Sequence, residues 1–79
     1  MRIEVRLFAT LREYAPKEAN AGVFSTTLPD GGTVGTLLEA IGIDSEQVHL
    51  RMVNGAGVED DHLLRENDRV GLFPPVGGG

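Results

Sequence analysis

Apolar and polar residues alternate without a break over residues 2–7, with Ile3, Val5 and Leu7 on one side and Arg2, Glu4 and Arg6 on the other. This two-residue period predicts a strand with one face buried and one in water. A second alternation sets Phe24, Thr26 and Leu28 against Val23, Ser25 and Thr27, and Pro29-Asp30-Gly31-Gly32 stops it. Its β-branched content predicts a second strand followed by a turn. Between the two, Ala9 to Tyr14 is expected to form a short helical turn, which Pro16, Asn20 and Gly22 keep from becoming a long helix.

The period then changes. Val34, Leu37, Leu38 and Ile41 fall at i, i+3, i+4 and i+7, behind a capping Thr33 and ahead of Gly42 at the left-handed C-cap position. This is the one full amphipathic helix, and Gly35 inside it costs about 1 kcal/mol relative to Ala, so packing on a sheet must compensate. Val48, Leu50 and Met52 predict a further strand, Asn54-Gly55-Ala56-Gly57 a tight reversal, and Val58 the start of a short return strand. Leu63 and Leu64 are expected to cover the core edge, after which Arg69 to Phe73 reads as a last strand with Val70 and Leu72 inward. Pro74-Pro75 ends it. The order predicts an α+β domain, a mixed four- to five-stranded sheet with one main helix on one face. The domain is expected to span residues 1–75, with a flexible glycine-rich tail over 76–79.

A chain of 79 residues makes one domain, and a domain this small buries about 60–65% of the surface its unfolded chain exposes. No apolar run nears the roughly 20 residues a bilayer needs. Arg2, Glu4 and Arg6 interrupt the stretch a signal peptide would keep apolar, so a cytoplasmic protein without membrane contact is expected. The net charge of −5 argues against nucleic acid, whose binding rests on Lys and Arg displacing counterions. The acidity is uneven: four basic against five acidic residues precede Ile43, and three against seven follow from there. Like charge keeps such a surface soluble, and its sharper use would be steering towards a basic partner.

The absence of cysteine removes thiolate nucleophiles and sulfur ligands to metals. His49 and His62 stand without a carboxylate cluster at metal-ligand spacing, so no metal is expected. Gly31-Gly32-Thr33-Val34-Gly35 leads into a helix but lacks a P-loop lysine, and it reads as a turn and N-cap. Glu59-Asp60-Asp61 reads as a solvated charge run.

The remaining feature is the end, Phe73-Pro74-Pro75-Val76-Gly77-Gly78-Gly79. Two rigid residues lead to three that have no Cβ to block a narrow tunnel, and then to a carboxylate. Five residues from Pro75 reach at most about 17 Å, enough to enter another protein's active site. A glycine carbonyl is unhindered and its α-carbon cannot racemise on activation, which suits acyl transfer. A glycine run at a terminus is by itself often plain low-complexity chain; the strand and double proline before it set this one apart. Phe73, of opposite parity to Val70 and Leu72, is expected on the outer face as a partner anchor, with Phe8 adding to the same patch; the alternative is that Phe73 closes the bottom of the core.

These residues resemble the MoaD and ThiS-like sulfur carriers, and particularly the small subunit of molybdopterin synthase. The resemblance spans nearly the whole chain. It rests on Asn67-Asp68-Arg69-Val70-Gly71-Leu72-Phe73-Pro74-Pro75-Val76-Gly77-Gly78-Gly79, and secondarily on Leu7-Phe8-Ala9-x-Leu11-Arg12-Glu13, Thr33-Val34-x-x-Leu37-Leu38 and Val53-Asn54-Gly55. Two positions depart from the pattern: Asn67 stands where glycine is usual, and Gly77 where many relatives have Ala, Ser or Thr. The resemblance implies a ubiquitin-like β-grasp fold and a carrier with no independent active site or bound cofactor. It further implies that a partner activating enzyme of the MoeB or ThiF type would adenylate Gly79 with ATP and that a sulfur donor would convert it to a thiocarboxylate. On the same resemblance, residues 77–79 would insert into the large synthase subunit, with Phe73, Pro74, Pro75, Val76 and Phe8 expected in the partner contact. The same glycine chemistry would serve thiamine thiazole, tRNA thiolation or a ubiquitin-like modifier, and a binding domain with an incidental tail is the plainest alternative.

Overall fold

The structure is a computed structural model and describes residues 1–75. Strands β1 (Arg2–Leu7), β2 (Val23–Thr27), β3 (Leu50–Val53), β4 (Ala56–Val58) and β5 (Arg69–Phe73) form one sheet in the order β2-β1-β5-β3-β4. Only β1 and β5 run parallel; every other pairing is antiparallel. The mixed sheet with one main helix is the expected α+β architecture, and β1 and β5, the first and last strands in sequence, lie side by side in its interior.

Helix α1 (Val34–Ile41) covers one face. Its Val34, Leu37 and Leu38 meet Ile3, Val5 and Leu7 of β1 and Val70 and Leu72 of β5, all buried, in a single core. The ends of α1 are those the sequence predicts. Thr33 Oγ1 accepts from Thr36 N at 3.2 Å while Thr33 N donates to Thr36 Oγ1 at 3.0 Å, and Gly42 closes the helix at φ +91°. Reciprocal capping and a left-handed glycine satisfy end groups that would otherwise stay unpaired. Gly35 has a second use. Its N–H donates to Asp60 O at 2.8 Å, and a Cβ there would stand 3.4 Å from that oxygen. Val34 N likewise donates to His62 O at 3.1 Å, so the chain's own loop occupies the donors that a phosphate would need.

The connection after β1 is a 3-10 helix over Ala9–Tyr14 with Leu11 buried, as expected of a short helical turn. Three expectations on the second half are corrected. Val48 is buried but precedes β3, because its N–H still closes the Ser45–Gln47 3-10 turn on Ser45 O; Leu50, 40% exposed, and Met52 belong to the opposite face. The return strand starts at Ala56, since Asn54 (φ +51°) and Gly55 (φ +86°) alone make the turn, the left-handed pair a two-residue hairpin requires. Leu64 is in the core, whereas Leu63 is 62% exposed. Neighbours on an extended chain point apart, so one leucine of the pair had to leave.

Candidate functional site

The site is built where β5 leaves the sheet. Pairing with β1 and β3 holds β5 from both sides, and the parity that buries Val70 and Leu72 turns Arg69, Gly71 and Phe73 to the face opposite α1. Phe8 continues the outward parity of β1, and its N–H donates to Leu72 O at 3.2 Å. The two rings therefore meet. Phe8 and Phe73 stack with centroids 4.2 Å apart and planes 7° from parallel, beside Gly71, where a Cβ would stand 3.5 Å from each ring. On the other side β3 sets Leu50 against Phe73, and Phe73 O accepts from His49 N at 2.7 Å.

Past Phe73 the prolines cannot donate to a neighbouring strand, so the sheet stops and the chain departs. Half-buried Pro74 and exposed Pro75 join Phe8, Ala9, Leu50 and Phe73 around an apolar concavity at the point of departure. The structure thus brings together Phe8, Phe73, Pro74 and Pro75 from the sequence reading. Val76, Gly77, Gly78 and Gly79 lie outside the described residues. Leu50 was missed as a member of the site, since its place beside Phe73 depends on the β3–β5 register.

The turn before β5 is held by polar contacts. Asn67 takes the left-handed backbone expected of a residue in glycine's place, at φ +68°. Asp68, largely buried, accepts from Arg65 N at 2.8 Å and from Asn54 Nδ2 at 2.9 Å, and Asn54 Oδ1 accepts from Arg69 N at 3.0 Å. The β3–β4 turn is thereby tied to the start of β5. Elsewhere Glu59-Asp60-Asp61 is more than a charge run: Asp60 pairs with Arg51 and accepts from the Ser45 hydroxyl. Arg51 also donates to the carbonyls of Val48 and Ser45, at 3.1 and 2.9 Å. Burial acts to raise the Asp60 carboxyl, but the Ser45 hydrogen bond and the Arg51 guanidinium together hold it below the usual 3.8.

Among the described residues no three His, Cys, Asp or Glu side chains gather to hold a metal ion, and no helix is long and apolar enough to cross a membrane. What remains among the described residues is the apolar face beside Pro74 and Pro75. The ThiS family sequence pattern matches residues 5–79, taking in all of β5 and the terminal glycines. The chain belongs to the ThiS family. No curated protein matches it. Among solved structures, this ThiS-family chain is similar to SAMP1 from Haloferax volcanii, at 25% identity over 100% of both chains with a TM-score of 0.75. It is similar also to a protein from Pyrococcus furiosus assigned as molybdopterin converting factor, subunit 1, at 29% identity over 95% of this chain and 98% of that one, TM-score 0.73. The complex of subunits 1 and 2 of the molybdopterin-converting factor from Helicobacter pylori shares the fold, at 22% identity over 100% of both chains with a TM-score of 0.63. The sulfur-carrier family and the ubiquitin-like β-grasp fold inferred from the sequence therefore stand.

Proposed function

We propose that the protein is the sulfur-donating small subunit of a molybdopterin synthase, working in the cytoplasm and activated at the carboxylate of Gly79. An oxygen of that carboxylate attacks the α-phosphate of ATP on an activating enzyme and expels pyrophosphate. A sulfide equivalent from the donor then displaces AMP, leaving a thiocarboxylate. Delivered into the large subunit, its sulfur passes to a cyclic pterin precursor, two such transfers making the dithiolene, and water restores the carboxylate. The chain's own residues supply the leaving strand, the stiff Pro74-Pro75 exit and the apolar Phe8–Phe73 face for docking; catalytic side chains belong to the partners.

The observation that carries this reading is the position of that apolar face at the root of the glycine tail. A partner that grips Phe73 holds Gly79 within about 21 Å of it, the reach of six extended residues. The Phe-Pro-Pro-Val approach and the likeness to the Pyrococcus protein support the molybdopterin branch. The likeness to SAMP1 favours a second reading, conjugation of activated Gly79 to protein amines.

Intact mass decides between them. With an activating enzyme, ATP and a sulfur donor, the protein is expected to exchange one oxygen for sulfur within its C-terminal peptide. Removing Gly78-Gly79, or adding a residue after Gly79, is expected to abolish the exchange and leave the melting temperature unchanged. Sulfur on the extended variant would defeat the proposal. Isopeptide adducts on added proteins, without sulfur transfer to a pterin by the large subunit, would establish the modifier reading instead.

A further inference from the structure

The outer face of the sheet has two ends of different character. One is the apolar end already described. At the other, the parallel register sets Arg69 beside Glu4, and Arg2 and Arg6 stand on either side of Glu4 along β1. Arg69 borders two adjoining concavities, one shared with Arg6, Phe8 and Phe73 and the other with Arg2 and Glu4. Rings and guanidinium groups therefore make one continuous strip.

The strip runs against the charge of the whole. It holds three arginines and one glutamate, which leaves four basic and eleven acidic residues of the chain's seven and twelve for everywhere else. Among the described residues, the pairing of these guanidinium groups is limited to Arg6 Nε on Glu4 at 3.1 Å, with side chains 51% and 35% exposed; such a contact contributes little to folding. Arg2 donates its backbone N–H to Glu66 at 3.1 Å, which puts one further carboxylate at the far end. Glu4, directly opposite Arg69, offsets one of the three positive charges, and the strip keeps an excess of positive charge.

We propose that Arg2, Arg6 and Arg69 form, with the Phe8–Phe73 stack, one docking face for a partner protein that sets carboxylates beside an apolar socket. The inference rests on the docking role proposed above and adds the sign of the partner's charge, opposite to the basic partner that the overall acidity suggests. Complementary charge beside the anchor speeds encounter and fixes orientation. Glu39 on α1 and Glu59-Asp60-Asp61 beside its first turn would be repelled by the same acidic surface, so the helix side cannot dock in error. A protein fits better than a nucleic acid: the rings are stacked on each other, and the remaining surface is strongly acidic.

The test compares Arg6→Glu/Arg69→Glu with Lys17→Glu/Arg65→Glu, which makes the same change in net charge off the strip. All four side chains are exposed or on the outer face, and thermal melts verify that both variants fold. With an activating enzyme that loads wild type with sulfur, the strip variant is expected to associate at least 10-fold more slowly at low salt. The control should change less than threefold, and added salt should slow the wild type. Equal losses in both variants, or wild-type association that quickens with salt, would overturn the proposal while sulfur loading stands. If no enzyme loads sulfur, titration of isotope-labelled protein with a peptide alternating Glu and Leu, and separately with oligouridylate, decides the matter by NMR. Peptide-induced shifts confined to the strip support the inference; shifts elsewhere, or tighter binding of oligouridylate, refute it.

Discussion

Replacing Phe73 by Ala separates a docking residue from a core residue. The ring is only half-buried and lies outside the buried cluster, so the 3–5 kcal/mol that commonly follows Phe→Ala in a core does not apply. What is lost is the stack on Phe8 at 4.2 Å, worth about 0.5–1.5 kcal/mol beyond area burial, and part of the ring's contact with Leu50 and Pro74. We expect a total of about 1–2 kcal/mol, and each kcal/mol lowers the melting temperature of a domain this size by about 4–8 °C. Partner affinity should fall further, by about 2 kcal/mol or more for a central aromatic anchor, roughly 30-fold in Kd. Circular dichroism in urea gives the first quantity and calorimetric titration with the activating enzyme the second. A cycle with Phe8→Ala should recover about 1 kcal/mol of coupling in the free protein. A stability loss above about 3 kcal/mol would place Phe73 in the core, and unchanged affinity would remove it from the interface; either result refutes the assignment.

Asn54→Ala removes both amide contacts, to Asp68 and to the N–H of Arg69, and puts Ala at a left-handed position. It should destabilise by about 2–3 kcal/mol. Asn54→Gly should recover the backbone part alone, and equal losses for the two variants in urea melts would mean that the hydrogen bonds carry the whole effect. Asp60 makes stability depend on acid. Its folded carboxyl lies below the usual 3.8, so its contribution is complete above the unfolded value and is lost as pH falls through the lower folded one. Asp60→Asn should accordingly flatten the stability profile below about pH 4 relative to wild type, and an unaltered acid limb would show that the Arg51 pairing is already broken there.

The strands β1 and β5, the ends of α1 and the outward parity of Phe73 were legible because each is set by residues within one turn or one strand. Thr33 and Gly42 cap by local hydrogen bonds and backbone freedom, and Asn67 takes glycine's place for the same local reason. The C-terminal sequence pattern also carried the family, because it is a run of neighbouring residues that can be read without knowing the fold, and the family match takes in that run. Tertiary structure alone decided which strands became neighbours. That Phe8 lies on Phe73, that Leu50 borders both and that Arg69 joins Arg2 and Arg6 follow from pairings among residues more than twenty positions apart in sequence, and periodicity within one strand carries no information about register with another. The same limit hid the Arg51–Asp60 pair and the loop that fills the helix N-terminus. The alternation of side chains along a strand is intrinsic to the backbone, whereas the face those side chains share is a property of the assembled sheet.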